Sequence, residues 1–337
     1  MRKRIIILCM LLMSLIMLGA CGNSEDKAGG SSNGGSSKKG KTFKIGATQI
    51  VEHPSLDQAY KGFQEALKDA GLDVEFDLQS AQGEQNNVKP IADNFVADNV
   101  DLIFANSTPS ALGALQATDQ IPIVFTSVSD PVGAGIVEAM DQPGDNITGV
   151  VDLHPEAIKE TVQFIDKYFN GANVGLIYNA GEQNSVSQID AVKEAAEGTS
   201  LTLTERTVAN TAEVQQAAMT VASEVDVLYI VTDNMVVSAL DSVVGVAEDQ
   251  KIPLIVGEPD SLEKGGFATF GIDYFKIGYR TGEMAVEILK GEKDPSDIPV
   301  EYPEEIKLII NKEAAEKQGV KWHDEWDELA EFLETNE

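Results

Sequence analysis

Two short loops of this sequence carry similar polar side chains at matching spacing. "VEHPSLDQ" (51–58) and "GEQNSVSQ" (181–188) each follow an apolar run and precede a stretch with helical periodicity. Ser55 and Ser185 each precede a glutamine by three positions, the S-x-x-Q spacing of a capping box, in which the hydroxyl accepts a backbone N–H at a helix start. Other N–H groups there point outward at the positive end of the helix dipole, so each loop is predicted to hold an anionic or carbonyl oxygen.

Four further loops extend this pattern. In "NSTPSA" (106–111), Thr108 is a predicted N-cap, and the proline after it suits the first helical position because it lacks an N–H. "TDNMV" (232–236) is its counterpart in the second half, and "SVSDPVGAG" (127–135) pairs with "VGEPDS" (256–261). Ordinary helix capping explains any one of these loops. Their recurrence at matching places in both halves favours a binding site.

The charged side chains of these loops restrict the chemical class of ligand that the site can bind. They are acidic and comprise Glu52, Asp130, Glu182, Asp233, Glu258 and, further on, Asp273. Only His53 could supply a cation, so a polyanion would be repelled. A zwitterion fits better, with its carboxylate on helix N-termini and on donors such as Ser107, Thr108 and Ser185. As a hypothesis, Asp273 or Asp233 holds the ammonium.

Aromatic residues near the loops could offer flat surfaces to an apolar or aromatic ligand side chain. They are His53, Phe104, Phe125, Tyr178 and Tyr274. The competing interpretation is a core position, which is the more frequent one for the strand residues Phe104 and Phe125.

Several chemistries have no support in the sequence. It contains no G-x-G-x-x-G after a strand, no G-x-x-x-x-G-K-[ST], no H-E-x-x-H and no G-x-S-x-G. The histidines, His53, His154 and His323, are far apart in sequence, which disfavours a histidine-rich metal site. The acidic residues have no identifiable nucleophile or acid–base partner, so they indicate ammonium ligands rather than catalysts. We therefore expect neither an enzyme nor a cofactor or metal.

Short apolar runs alternate with helix-like segments throughout, which predicts α/β architecture with parallel sheets. One series runs from residue 43 to 128, and a second of similar outline follows "NITGVVD" (146–152). The strand "ATFGID" (268–273), a helix at 274–290 and the strand "IKLIIN" (306–311) belong to neither series. These segments predict three crossings between two doubly wound lobes, and hence a hinge.

The N-terminus has the features of an export signal. Arg2, Lys3 and Arg4 precede an apolar run at 5–17, and "LGAC" ends at Cys21. "LGAC" resembles the lipobox of bacterial lipoproteins, whose cysteine is lipidated; an uncleaved anchor or an ordinary secretory signal is the alternative. The following Gly/Ser tract predicts a flexible tether.

The net charge and the cysteine content argue against further classes of binding partner and of chemistry. The formal charge is −30, and removal of the three basic residues of the signal makes it −33, which disfavours nucleic acid as a partner. Cys9 would leave with the signal, so Cys21 would be the only cysteine retained. Disulfides and thiolate catalysis are therefore not expected.

The sequence also resembles a known family. The matching stretches, in order from Phe43 to Val320, are "VEHPSLD", "SAQGE", "NSTPSA", "IPIVFTSVSDP", "NITGVVDLHP", "LIYNAGEQNS", "VTDN" and "GIDYFKIG". Together they resemble the ABC-transporter substrate-binding lipoproteins of the tryptophan/tyrosine-binding type. The resemblance implies a type I periplasmic-binding-protein fold that closes around an amino acid and delivers it to a membrane permease powered by a separate ATPase.

The resemblance also implies positions for the ligand loops and the domains. The implied ligand residues are Gln49, Glu52, His53, Ser107, Thr108, Ser129, Asp130, Glu182, Asn184, Ser185, Asp233, Asn234 and Asp273. The expected organisation is a signal peptide (1–20), a tether (21–41), an N-terminal lobe (42–148 plus 270–303) and a C-terminal lobe (149–269 plus 304–337).

We expect a monomeric solute receptor, lipid-anchored through Cys21 on the extracellular face of the membrane, with an L-amino acid as cargo, tryptophan or tyrosine being favoured. The alternatives are a cationic amine or a sugar in the same cleft, or a ligand sensor for a signalling partner.

Overall fold

The apolar runs of the first series form a parallel sheet in the computed structural model, which describes residues 41–333. Its strands lie in the order β2-β1-β3-β4-β5. They are β1 (Thr42–Gln49), β2 (Asp73–Ser80), β3 (Leu102–Asn106), β4 (Ile123–Val128) and β5 (Ile147–Val151). The strands β3, β4 and β5 are buried at every position, which explains their continuous apolar sequences.

Helices cover both faces of this sheet. They are α1 (Pro54–Asp69), α2 (Gln85–Ala97), α3 (Thr108–Ala117) and, from late in the chain, α10 (Tyr274–Leu289). The helix α10 packs against α1, β4 and β5, so it belongs to the first lobe. The contact with α1 is close because Gly278 has no side chain: a Cβ there would overlap the backbone oxygen of Ala59.

The second series forms the other sheet, in the order β12-β11-β10-β9-β8-β6-β7. Its strands are β6 (Asn173–Tyr178), β7 (Thr202–Thr207), β8 (Val227–Ile230), β9 (Leu254–Val256), β10 (Ala268–Gly271), β11 (Lys307–Ile310) and β12 (Glu331–Phe332). This sheet is parallel as expected from β7 to β10, whereas β11 and its parallel neighbour β12 run antiparallel to those strands. The strand β10 leaves this sheet towards the first lobe, and β11 returns from that lobe, so β11 starts where β10 ends.

Eight helices accompany the second sheet within the described residues. They are α4 (Ala157–Tyr168), α5 (Gln183–Ala196), α6 (Thr211–Ala222), α7 (Asn234–Ser238), α8 (Leu240–Gln250), α9 (Asp260–Glu263), α11 (Lys312–Lys317) and α12 (Trp326–Leu329). No helix within 41–333 is long and apolar enough to span a membrane.

Three connections join the two sheets: from β5 to α4, from β10 to α10, and from a short 3-10 turn (Pro295–Asp297) to β11. Two of them lie side by side, since Val150 forms a parallel bridge with Glu301. The hydroxyl of Thr148 also donates to the carbonyl oxygen of Ile298 at 2.6 Å. The signal peptide, Cys21 and the tether lie outside the described residues.

Candidate functional site

The loops at the carboxyl ends of the two sheets meet across a narrow cleft. The side-chain amide of Gln85 donates to the carbonyl oxygen of Gly181 at 2.7 Å, and Ser187 Oγ donates to Asp130 Oδ2 at 3.2 Å. Each bond joins one lobe to the other. The cleft is therefore closed, and loops distant in sequence lie next to each other across it.

A buried polar network lies at the centre of the cleft. Gln188 Nε2 donates to Thr232 Oγ1 at 2.6 Å and to Ser129 Oγ at 3.0 Å. Ser129 in turn donates to Asp152 Oδ1 at 2.8 Å. Because Ser129 follows β4 whereas Gln188 lies on α5, this network also crosses between the lobes.

A second network surrounds Glu182. This carboxylate accepts from the side-chain amide of Asn234 at 2.6 Å and from the backbone N–H groups of Asn234 and Met235 at 3.3 Å. Burial, followed by the negative charge of Asp233, raises the pKa of Glu182 to about 7. Burial lowers the pKa of His53 to about 4, so this side chain is neutral at pH 7 and is not the cation that the sequence allowed.

Asp233 and Ser185 are joined by a hydrogen bond within the second lobe. Asp233 Oδ2 accepts from Ser185 Oγ at 2.7 Å and from the backbone N–H of Asn179 at 2.6 Å, and Oδ1 accepts from the N–H of Val236 at 2.8 Å. These contacts all lie within the second lobe. Ser185 gives its hydroxyl proton to Asp233, so it does not donate to a carboxylate in this arrangement, and both side chains hold α7, β6 and α5 together. The role of Asp233 as an ammonium ligand stays a prediction.

The helices start earlier than the sequence predicted. Pro54 opens α1 with His53 as N-cap, and Glu182 is the N-cap of α5, so Ser55 and Ser185 lie inside the first turn and close no capping box. In α3 the N-cap is Ser107, whose hydroxyl accepts from the N–H of Ser110 at 3.3 Å. The φ of Ser107, 148°, is unusual for a residue with a side chain, as found at functional corners.

Three predicted residues carry buried polar atoms without a hydrogen-bond partner among the described residues: Thr108 Oγ1, Asn184 Oδ1 and His53 Nδ1. Their exposures are only 1%, 3% and 6%. Native proteins rarely leave such groups unpaired, since each costs about 1–3 kcal/mol. Because the three atoms belong to α3, α5 and the α1 cap, which bring both lobes together, a polar ligand in the cleft is the natural partner.

Two predicted residues lie elsewhere. Asp273 is exposed, caps α10 by accepting from the N–H of Lys276 at 3.0 Å, and lines a groove of about 760 Å³ beside the crossing segments. It does not join the buried networks, which corrects its expected role with the ammonium. Glu52 is likewise exposed. Gln49 is buried beneath the cleft, where its amide donates to Asp57 Oδ1 at 3.3 Å.

The proposed ring surfaces are mostly core or surface positions. Phe104 stacks on Phe63 with ring centroids 4.1 Å apart, and Phe125 is fully buried in the first lobe. Tyr178 donates to Glu205 at 2.9 Å on the surface of the second lobe. Tyr274 belongs to the central network of the cleft, because its hydroxyl donates to Asp152 Oδ2 at 3.0 Å. It takes part through this hydroxyl and not through its ring.

Several cleft residues escaped the sequence analysis. Asp152, Gln188 and Thr232 belong to the central network, yet none was selected as a ligand residue. A signal existed for Asp152, since it directly follows β5, where the carboxyl end of a parallel strand meets the cleft. Gln188 was interpreted only as a capping residue.

Comparison with known proteins identifies the family. Residues 44–331 match the model of the ABC transporter substrate binding protein family. The chain belongs to this family, which confirms the resemblance. It is 40% identical over 316 residues to the tyrosine-binding protein of Clostridioides difficile (strain R20291), covering 90% of each chain. The family serves ABC transporters as substrate-binding proteins, not as enzymes.

Solved structures confirm the type I periplasmic-binding-protein fold with two α/β lobes. A conserved domain protein from Vibrio cholerae has a TM-score of 0.83 at 37% identity, covering 87% of this chain and 99% of its own. The ABC domain from Streptococcus pneumoniae in complex with L-Trp has 0.82 at 32% identity, covering 87% and 100%.

A ligand-free, open substrate binding protein from Clostridium difficile is more similar in sequence than the L-Trp complex but less similar in structure. It is 38% identical and covers the same 87% of this chain and 100% of its own, yet its TM-score is 0.64.

Proposed function

We propose that this protein is the extracellular, lipid-anchored receptor of an ABC importer and that it binds an aromatic L-amino acid, tyrosine or tryptophan. The supporting observations are the tyrosine-binding relative, the neighbour in complex with L-Trp and the chemistry of the cleft. The export signal and Cys21 support anchoring, and a captured solute needs a permease to cross the membrane.

One observation carries the ligand class: the closed cleft buries polar atoms that lack partners. Thr108 Oγ1, at the start of α3, can donate to a carboxylate oxygen, and the N-terminal end of that helix favours negative charge. Asn184 Oδ1, at the start of α5, can accept from an N–H or O–H group. A zwitterionic ligand supplies both kinds of partner.

Hinge closure is the proposed mechanism. The three crossings allow the lobes to separate, and a ligand that contacts both lobes binds the closed form more tightly than the open one. Occupancy therefore shifts the population towards closure, in proportion to this difference in affinity. The permease would recognise the closed form.

A calorimetric titration tests the ligand. The full chain, purified from membranes in detergent, is titrated with each of the twenty L-amino acids, with simple sugars and with polyamines. We expect saturable binding of tyrosine, tryptophan or both. Binding of sugars or polyamines alone would favour the alternative cargo, and absence of all binding would contradict the proposal.

Cell fractionation tests the anchor separately. Cys21→Ala should release the protein from the membrane into the medium and abolish labelling by a fatty acid. Ser36→Ala, in the same Gly/Ser tract, is the matched control and should remain membrane-bound. Membrane retention of the Cys21 variant without labelling would indicate an uncleaved apolar anchor instead.

A further inference from the structure

A fully buried asparagine lies beneath the first-lobe side of the cleft, outside the networks described above. Asn106 is the last residue of β3 and directly precedes the N-cap of α3. Its side-chain nitrogen donates to the carbonyl oxygen of Leu56 at 2.8 Å, and its side-chain oxygen accepts from Ser127 Oγ at 2.7 Å. One amide therefore joins the carboxyl end of β3 to the first turn of α1 and to the end of β4.

The chemistry of this joint requires an asparagine. The carbonyl oxygen of Leu56 can only accept, so it must face the nitrogen of the amide. The amide oxygen is then left for the hydroxyl of Ser127, which donates to it. An ionised aspartate could serve only the hydroxyl, and a leucine of similar shape could serve neither partner. Because the joint is buried, losing either bond would leave a polar group without a partner.

The backbone of Ser127 needs such support. Its φ is 56°, in the left-handed region that is costly for a residue with a side chain. The pairing of β4 with β5 shifts register between Phe125 and Val128, so the strand is irregular at this position. Irregularities of this kind redirect the side chains that follow them. Here the next serine is Ser129, whose hydroxyl accepts from Gln188 across the cleft at 3.0 Å.

The other two members of the joint also lead to the cleft. Leu56 follows Ser55, whose hydroxyl donates to the second lobe at 2.8 Å. Asn106 is two positions before Thr108, whose hydroxyl is buried without a partner among the described residues. Each member of the joint therefore lies within two residues of a group already assigned to the cleft.

We infer that Asn106 is a positioning residue: it holds Ser127 in the left-handed conformation and thereby places the first-lobe loops where they bind the ligand. Because Asn106 is buried beneath these loops, it acts through them and not by touching the ligand. This inference rests on the proposed function. It also gives Gln49 a supporting place, since Gln49 Oε1 lies 3.5 Å from the amide nitrogen of Asn106.

A second asparagine of the same sheet provides the matched control. Asn146 likewise holds loops with its amide, which donates to the carbonyl oxygens of Thr118 and Ile121 at 3.2 and 3.1 Å. It directly precedes β5 and so lies at the amino-terminal edge of the sheet, away from the cleft. Asn106→Leu and Asn146→Leu should both lower the free energy of unfolding. Only Asn106→Leu should also weaken binding of L-tyrosine and L-tryptophan, by about tenfold, in calorimetric titrations of the full chain below the melting temperature of each variant.

Two substitutions at Ser127 separate positioning from stability. Ser127→Ala removes the hydroxyl but keeps a side chain in the left-handed region, so the loop should relax and binding should weaken about 5- to 10-fold. Ser127→Gly loses the same hydrogen bond but adopts a φ of 56° without strain, so it should bind several-fold more tightly than Ser127→Ala. A bond that only adds stability would leave both variants with wild-type affinity.

Wild-type affinity in Asn106→Leu would overturn the inference, as would Ser127→Gly binding no more tightly than Ser127→Ala. An equal loss of affinity in Asn146→Leu would also overturn it, because destabilisation alone would then explain the weaker binding. If Asn106→Leu does not fold, the two Ser127 variants decide. The proposed function fails in a different way, by absence of amino-acid binding in the wild type itself, so the two failures are distinguishable.

Discussion

Ser55 and Asp260 are 205 residues apart in sequence, yet Ser55 Oγ donates to Asp260 Oδ2 at 2.8 Å. The bond joins the first turn of α1 in one lobe to α9 in the other. It is a direct interlobe bond made by the protein alone, so part of the stability of the closed form does not depend on the ligand.

Loss of this bond should accelerate ligand release. Ser55→Ala removes a hydrogen bond to a charged group that exists only when the cleft is closed, so the dissociation rate should rise about tenfold. Stopped-flow fluorescence with tyrosine or tryptophan measures it. Ser223→Ala, which loses a local bond to Thr220 on the surface, should release ligand at the wild-type rate. An unchanged rate in the Ser55 variant would show that this bond is absent in solution.

Thr108 should matter for binding and not for folding. Its hydroxyl has no partner, so Thr108→Val keeps the shape, leaves stability nearly unchanged and weakens amino-acid binding about 10- to 100-fold. Thr161→Val is the opposite case, because Thr161 donates to the carbonyl oxygen of Ala157 at 2.8 Å, away from the cleft. It should lower the melting temperature and spare affinity. Wild-type affinity in the Thr108 variant would remove this residue from the site.

The contact between α1 and α10 should tolerate no added methyl group. In Gly278→Ala the new Cβ meets the backbone of Ala59, so the helices must separate, at a cost of about 2 kcal/mol. Gly245→Ala is the matched control, since its Cβ would enter open space within α8. Alanine there should stabilise by about 0.5–1 kcal/mol. Chemical denaturation measures both, and equal stability of the two variants would contradict the close packing.

Acidification should stabilise the closed, ligand-free protein. Burial raises the pKa of Asp152 to about 6 and that of Glu182 to about 7, so their stabilising contribution is complete below the unfolded-state values and is lost as the pH rises through 6 to 7. His53 acts oppositely, because its pKa falls to about 4 and its contribution is lost as the pH drops from about 6.5 to 4.

Two carboxylates outweigh one histidine, so the free energy of unfolding should rise by on the order of 2 kcal/mol between pH 8 and pH 5. Denaturant titrations at several pH values measure this rise. Asp152→Asn should show a smaller rise, since it lacks one of the titrating groups. A flat profile in the wild type would mean that these carboxylates are hydrated in solution.

The local sequence pattern located the loops between strand and helix but predicted the wrong N-cap residues for α1 and α5. The S-x-x-Q spacing located both strand-to-helix corners, yet Pro54 and Glu182 fix the helix starts before the serines. Spacing alone could not show this, because the N-cap depends on backbone angles that several neighbouring residues allow. The corrected start is also what frees Ser55 to bond with Asp260.

The alternation of apolar runs and amphipathic helices by itself determined two α/β lobes, and the late strand–helix–strand segment determined the return crossings. These features follow from periodicity and from chain order, which are local. The hydrogen-bond partners of Ser55 and Ser185, in contrast, were decided only by the tertiary structure. At the same spacing in sequence, Ser55 bonds across the cleft, whereas Ser185 bonds to Asp233 within its lobe. The choice depends on which acceptor, many residues away, the folded chain brings within 3 Å, and no local pattern contains that information.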